Sequence, residues 1–210
     1  MDSFIQKIKE GLQRPLPGVE AHYKMSHVTR KYYNKAPSDA RIACVLALFY
    51  PSGSEWQLTY IERDSTNPND RHSGQISFPG GKYEPEDRTF EQGALRETEE
   101  EIGVPQKDIQ LLGRLTELYI PVSDFLVYPF VGFLDYEPRF IPQPGEVKSV
   151  IHVPFSELLR PEIVQVRDLR ISPAISLKKV PYYDLNGKTL WGATAMMTSE
   201  LTEVYRAVSV

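Results

Sequence analysis

The sequence predicts an α+β fold, an α/β/α sandwich in which a mixed β-sheet lies between helices. Three observations carry this expectation. Short apolar or alternating runs closed by Pro, Gly or Asn recur along the chain, as strands do. Residues 90–102 instead place apolar side chains at helical spacing between a threonine and a glycine. The elements then run strands, helix, strands, helix, the order of a sheet covered by helices. The chain has 210 residues, 41% hydrophobic and 25% charged, enough for one domain with a real core. Residues 1–39 are expected to form an N-terminal helix and irregular arm, and residues 40–210 the main domain.

In order, residues 3–13 carry Phe4, Ile5, Ile8 and Leu12 at helical spacing, and Pro15 and Pro17 end that helix. Residues 18–40 read as irregular. Residues 41–49 read as a buried strand and 56–63 as its hairpin partner, followed by a polar loop over 64–73. Residues 75–78 read as a short strand broken by Pro79-Gly80-Gly81. The helix over 90–102 starts at Thr89, with Gln92 three residues on as in a capping box, and stops at Gly103. Strands are expected over 109–118, 127–134 and 147–153, then a short helix over 154–159. A hairpin over 180–191 turns at Asn186-Gly187, and a helix spans 192–206.

The net charge of -4 excludes a global basic field, so nucleic acid is not an expected partner. No segment has the apolar length of a membrane span, and the N-terminus lacks the apolar core of a signal peptide. The lone cysteine, Cys44, sits in an apolar run and reads as a buried small hydrophobe. The expectation is a cytoplasmic protein. A homodimer is left open.

The chemistry is concentrated in Arg96-Glu97-Thr98-Glu99-Glu100-Glu101-Ile102-Gly103. At about 100° per residue, Phe90, Ala94, Leu95, Thr98 and Ile102 share the packing side. Glu97, Glu100 and Glu101 gather at its border, and Glu99 points to solvent. Gly93, one turn earlier, is expected to leave room for a bound ion. Carboxylates at i, i+3 and i+4 repel one another, and near a helix C-terminus they also oppose the macrodipole. Mg²⁺ or Mn²⁺ would turn that penalty into an advantage, because such ions take clustered oxygen ligands. Arg96 can hold one carboxylate through a bidentate pair.

Gly81, five residues, Asp87, eight residues, then Arg96-Glu97-Thr98-Glu99-Glu100-Glu101-Ile102-Gly103-Val104 resembles the Nudix box. The general pattern has glutamate where Asp87 stands and one residue fewer before the arginine. Gly74-Gln75-Ile76-Ser77-Phe78-Pro79-Gly80-Gly81 and Ala94-Leu95-Arg96-Glu97 are similar to the coenzyme A diphosphatase branch. Asp70 stands where that branch places an arginine, with Arg71 and His72 following. The resemblance spans about 40–201. It implies the Nudix fold, with the box as a loop–helix–loop, and hydrolysis of a pyrophosphate bond in a nucleoside-diphosphate derivative. For coenzyme A the products would be 3′,5′-ADP and 4′-phosphopantetheine.

On this reading Glu97 and Glu101 are the main metal ligands, with Glu100 sharing the metal or its water and the Gly81 carbonyl as a further ligand. Arg96 orients Glu97, and the general base is Glu100 or Glu146. Gly80 and Gly81 leave room for metals and phosphate. Arg63, Arg71, His72 and Lys82 are candidates for substrate binding. Tyr119, Tyr128 and Trp191 could stack a base or pack in strands. Tyr119-Ile120-Pro121 keeps an ADP-ribose, other ADP-sugar or oxidised-nucleotide diphosphatase as the alternative. A non-catalytic ligand-sensing module is a third reading, disfavoured by the complete glutamate set.

Overall fold

The computed structural model describes residues 2–27, 35–64, 74–172 and 175–209. Strand β1 (Arg41–Ser52) explains the architecture, because both its faces are buried. Ala43, Ala47 and Phe49 enter one apolar cluster, whereas Cys44, Leu46, Leu48 and Tyr50 enter another on the opposite face. A strand buried on both sides needs covering layers on both, which is why the 41–49 run is almost continuously apolar.

β1 pairs antiparallel with β2 (Glu55–Arg63), as expected for a hairpin. β2 in turn pairs with β3 (Ile76–Ser77) and with β8 (Val147–Pro154). On its other side β1 runs parallel to β7 (Phe125–Phe133), with Arg41 opposite Phe125 and Phe49 opposite Phe133. This parallel pair makes the sheet mixed. β5 (Gln110–Arg114) and β6 (Leu118–Ile120) both pair with β7. A separate three-stranded sheet has the order β11 (Lys188–Leu190), β10 (Ile175–Leu185), β9 (Val164–Ser172).

Helix α3 (Phe90–Ile102) covers one face of the main sheet through Ala94, Thr98 and Ile102, all fully buried. The other face is covered by α1 (Ser3–Leu12), α4 (Phe155–Leu158) and α5 (Gly192–Arg206), which bury Ile5, Ile8, Phe155, Met197 and Leu201. The expected mixed sheet between helices is therefore found.

Four local expectations are corrected. Residues 18–24 are not irregular but form α2 (Gly18–Lys24), whose Ala21 and His22 are buried. Proline is tolerated at a helix start, and packing on α5 compensates for so short a helix. The expected break at Gly80-Gly81 is itself strand β4 (Gly80–Lys82), paired with Ala43, Cys44 and Val45 of β1. The single strand expected over 109–118 is two, β5 and β6, which pair with β7 separately and are parted at 115–117. β9 and the first half of β10 were not expected, because charged residues interrupt their apolar alternation.

Candidate active site

Three elements converge on the acidic end of α3. The first is β4. Gly80 adopts φ 143°, and a β-carbon there would lie 2.3 Å from the Cys44 carbonyl oxygen and 2.5 Å from Val45 Cα. Only glycine lets this strand approach β1 so closely. The result is that the Gly80 amide donates to Glu101 Oε2 at 2.8 Å. At Gly81 a β-carbon would sit 2.4 Å from Glu97 Oε2, so the bare backbone is a cradle for that carboxylate.

The second element is the 3₁₀ turn Pro85–Asp87. Glu84 and Asp87 cap it reciprocally, and the Glu84 amide donates to Asp87 Oδ2 at 2.8 Å. Asp87, only 5% exposed, receives Arg96 bidentately, from Nε at 2.6 Å and Nη2 at 3.0 Å. Arg96 also donates from Nη1 to Glu97 Oε1 and Glu100 Oε2, both at 2.9 Å, and from Nη2 to the Lys82 carbonyl. One guanidinium thus ties the turn, β4 and two box glutamates together. It holds the Asp87 carboxyl below the usual carboxylate range.

The third element is the loop between β7 and β8. Ile141 and Gln143 donate backbone N–H groups to the carbonyls of Ile102 and Glu101, both at 2.9 Å. The Glu146 carbonyl accepts from the Asp64 amide at 2.8 Å, which fixes the loop to the end of β2. Glu146 is exposed, and its charge raises the affinity of both Glu97 and Glu101 for a proton.

Burial is the leading cause of the upward shift at both carboxyls. It pushes Glu101, 2% exposed, up to about 7 against the opposing pull of the Gly80 amide and Arg63. Arg63 Nη1 stands 3.4 Å from Glu101 Oε1. Glu100 is mostly exposed, and Glu99 accepts from Gln106 on the solvent side, as expected.

Of the other expected residues, Lys82 pairs with Glu84 through its ammonium group, at 3.0 Å. Arg71, His72 and Asp70 lie outside the described residues. The room attributed to Gly93 belongs to the protein itself, since a β-carbon there would meet Asp87 Oδ2 at 3.0 Å. Gly81 likewise makes room for Glu97 rather than directly for phosphate. Tyr128 packs against Phe90, with ring centroids 4.4 Å apart, and Tyr119 donates to Asp124. Burial pushes the Cys44 thiol up to about 12, so it is an inert core residue. The residue overlooked was Asp87 as the anchor of Arg96. Its signal lay in the box itself, whose pattern carries an acid where Asp87 stands.

Among the described residues no three acidic, histidine or cysteine side chains converge as a ready chelate, and Arg96, Arg63 and the Gly80 amide are the partners of the box glutamates. The donor set nevertheless fits a hard divalent ion. Glu97, Glu100 and Glu101 supply only oxygen, and the Gly81 backbone abuts Glu97. Desolvation of Glu97 and Glu101 beside Glu146 is also a cost that a cation would offset. No helix among the described residues is long and apolar enough to cross a membrane.

The NUDIX domain family matches residues 40–174. NudL, an uncharacterized Nudix hydrolase of Photorhabdus laumondii, is 34% identical over 132 residues, covering 63% of this chain and 69% of its own. Mouse peroxisomal coenzyme A diphosphatase NUDT7 is 31% identical over 144 residues, covering 69% of this chain and 58% of its own. In fold, the Nudix hydrolase RenU of M. smegmatis superposes with a TM-score of 0.56 at 16% identity, covering 81% of this chain and 89% of its own. Nudix hydrolases generally require divalent metal ions and act on small nucleoside-diphosphate derivatives. With the domain matched across more than half of its length and the box assembled as described, this chain belongs to the Nudix hydrolase family and is a pyrophosphohydrolase.

Proposed function

We propose that the substrate is coenzyme A or an acyl-coenzyme A, cleaved to 3′,5′-ADP and 4′-phosphopantetheine or its acyl form. The observation that carries this reading is the Gly74-to-Gly81 run. It begins beside Arg63, whose carbonyl accepts from the Gly74 amide, and ends with Gly80 on Glu101 and Gly81 on Glu97. The similarity to the mouse enzyme named a coenzyme A diphosphatase supports the same substrate.

Glu97 and Glu101 would hold Mg²⁺ or Mn²⁺, with Glu100 and the Gly81 carbonyl assisting. The ion would neutralise phosphoryl oxygens and make a bound water acidic. Arg96, anchored on Asp87, orients Glu97 and Glu100. Glu146 is the better-placed proton acceptor, since it is exposed and bears on both Glu97 and Glu101, whereas Glu100 is tied to Arg96. Arg63 pairs with Glu101 and, being partly exposed, would offer its remaining donors to a phosphate. Water adds its oxygen to phosphorus, the bridging P–O bond breaks, and a proton is released.

The test is product identification by mass spectrometry. Coenzyme A, ADP-ribose, a dinucleoside polyphosphate and a nucleoside triphosphate are each supplied with Mg²⁺ or Mn²⁺. Fastest release of 3′,5′-ADP from coenzyme A is expected. AMP from ADP-ribose, with coenzyme A spared, would overturn the substrate and favour the ADP-sugar alternative.

A further inference from the structure

A cavity of about 360 Å³ opens away from α3, between the β2–β3 edge and the second sheet. Glu62, Gln75, Ile76, Arg170, Lys188 and Trp191 line it. Side chains alternate along β2, so Glu62 shares the face of Leu58 and Tyr60 rather than that of Ile61 and the box helix.

The electrostatics of the cavity are unusual for a chain of net charge -4. Glu62 is nearly buried, yet it receives two ammonium groups, Lys148 Nζ at 2.6 Å and Lys188 Nζ in a shorter contact. These lysines hold its carboxyl down at about 2, so it stays ionised. Among the residues that line the cavity, Lys188 and Arg170 outnumber Glu62 by one positive charge. Lys188 lines the cavity and its side chain is 45% exposed. The indole of Trp191 stands at the start of α5 and is half-buried. Cations beside a flat ring suit a phosphate attached to a nucleoside.

The cavity also lies near the box along the chain: Gln75 in its wall and Gly80 on Glu101 are five residues apart, so at most ~17 Å.

We propose that this cavity is a subsite for the second phosphate of the nucleoside half of the substrate: Lys188 and Arg170 take the ribose-bound phosphate while the Trp191 ring lies against the base. The proposal rests on the coenzyme A reading, whose nucleoside carries that phosphate at the 3′ position.

The test is calorimetric binding of 3′,5′-ADP and of 5′-ADP to the full chain in EDTA, where metal cannot mediate the difference. Wild type is expected to prefer 3′,5′-ADP by about tenfold or more, the scale of one charge-assisted contact. Arg170→Met and Lys188→Met should each erase most of that ratio. Arg170 is exposed on β9, so its variant remains informative if loss of Lys188 disturbs the Glu62 cluster. Equal binding of the two nucleotides by wild type, no detectable binding of 3′,5′-ADP, or a ratio intact in both variants would overturn the subsite. A preference lost in the variants, in a protein that spares coenzyme A, would keep the subsite and sink the proposed function. Coenzyme A cleavage without the preference would do the reverse.

Discussion

Glu101 concentrates the conflict between stability and chemistry. It is 2% exposed, next to Glu97 and Glu146, and among the described residues its carboxylate is met by one amide and a 3.4 Å arginine. Glu101→Gln keeps an oxygen for the Gly80 amide while removing the charge. The variant is expected to lose at least a hundredfold in kcat, to melt no lower than wild type without metal, and to lose the rise in Tm that Mn²⁺ gives wild type. Unchanged turnover would sink the ligand role. Glu62 behaves in the opposite way. Its folded pKa is about 2, below the ordinary 4.5, because Lys148 and Lys188 hold its charge. Its contribution is therefore complete above pH 4.5 and lost as pH falls towards 2. Glu62→Gln should cost about 1 kcal/mol at pH 7, given the exposed lysines, with the difference from wild type shrinking below pH 4.5 in urea titrations. The grouping of Glu97, Glu100 and Glu101 was legible from helical spacing alone. That Gly93 makes room for Asp87 was not, because Asp87 arrives from a separate turn.

At the scale of elements, β4 separates two kinds of glycine. At Gly81 the obstructing atoms are the end of the Glu97 side chain, which can swing away. Gly81→Ala should therefore fold, with a Tm within a few degrees of wild type, and lose most activity by displacing Glu97. At Gly80 the obstruction is the β1 backbone, and φ is 143°. Gly80→Ala should cost at least about 2 kcal/mol in chemical denaturation. Similar stability losses in the two variants would refute the distinction. α3 was readable end to end, because Thr89 accepts from the Gln92 amide and Gly103 takes φ 72°, as local capping requires. α5 and the Asn186-Gly187 turn were equally readable, both turn residues having positive φ. β4 and β9 were not: one is stabilised by approach to β1 and the other by pairing with β10. For β4 the partner lies about 35 residues away in sequence, whereas β9 is next to its partner and was hidden by its own charged residues.

Across the whole molecule, Glu200 ties α2 and the loop after β5 to α5. It is fully buried on α5 and receives His22 Nε2 at 2.9 Å, the Gly18 amide at 3.1 Å and Thr116 Oγ1 at 2.6 Å. Glu200→Ala would strand these donors and should cost about 3–5 kcal/mol in urea unfolding. A loss under about 1 kcal/mol would show that the hub is dispensable. Glu200 is a charged residue in a helix that reads as ordinary, so nothing in its neighbourhood along the chain announces the role. What the sequence by itself determined is whatever depends on near neighbours: helix and hairpin boundaries, the two-sided burial of β1, the acidic strip and its implied metal. What only the tertiary structure decided is which distant groups meet that strip and the helices behind it. The Gly80 amide on Glu101, the Glu146 loop beside Glu97 and Glu101, and Glu200 under α2 are long-range closures, and Arg96 on Asp87 closes across a separate turn. Their partners are chosen by packing of the sheet rather than by any local periodicity.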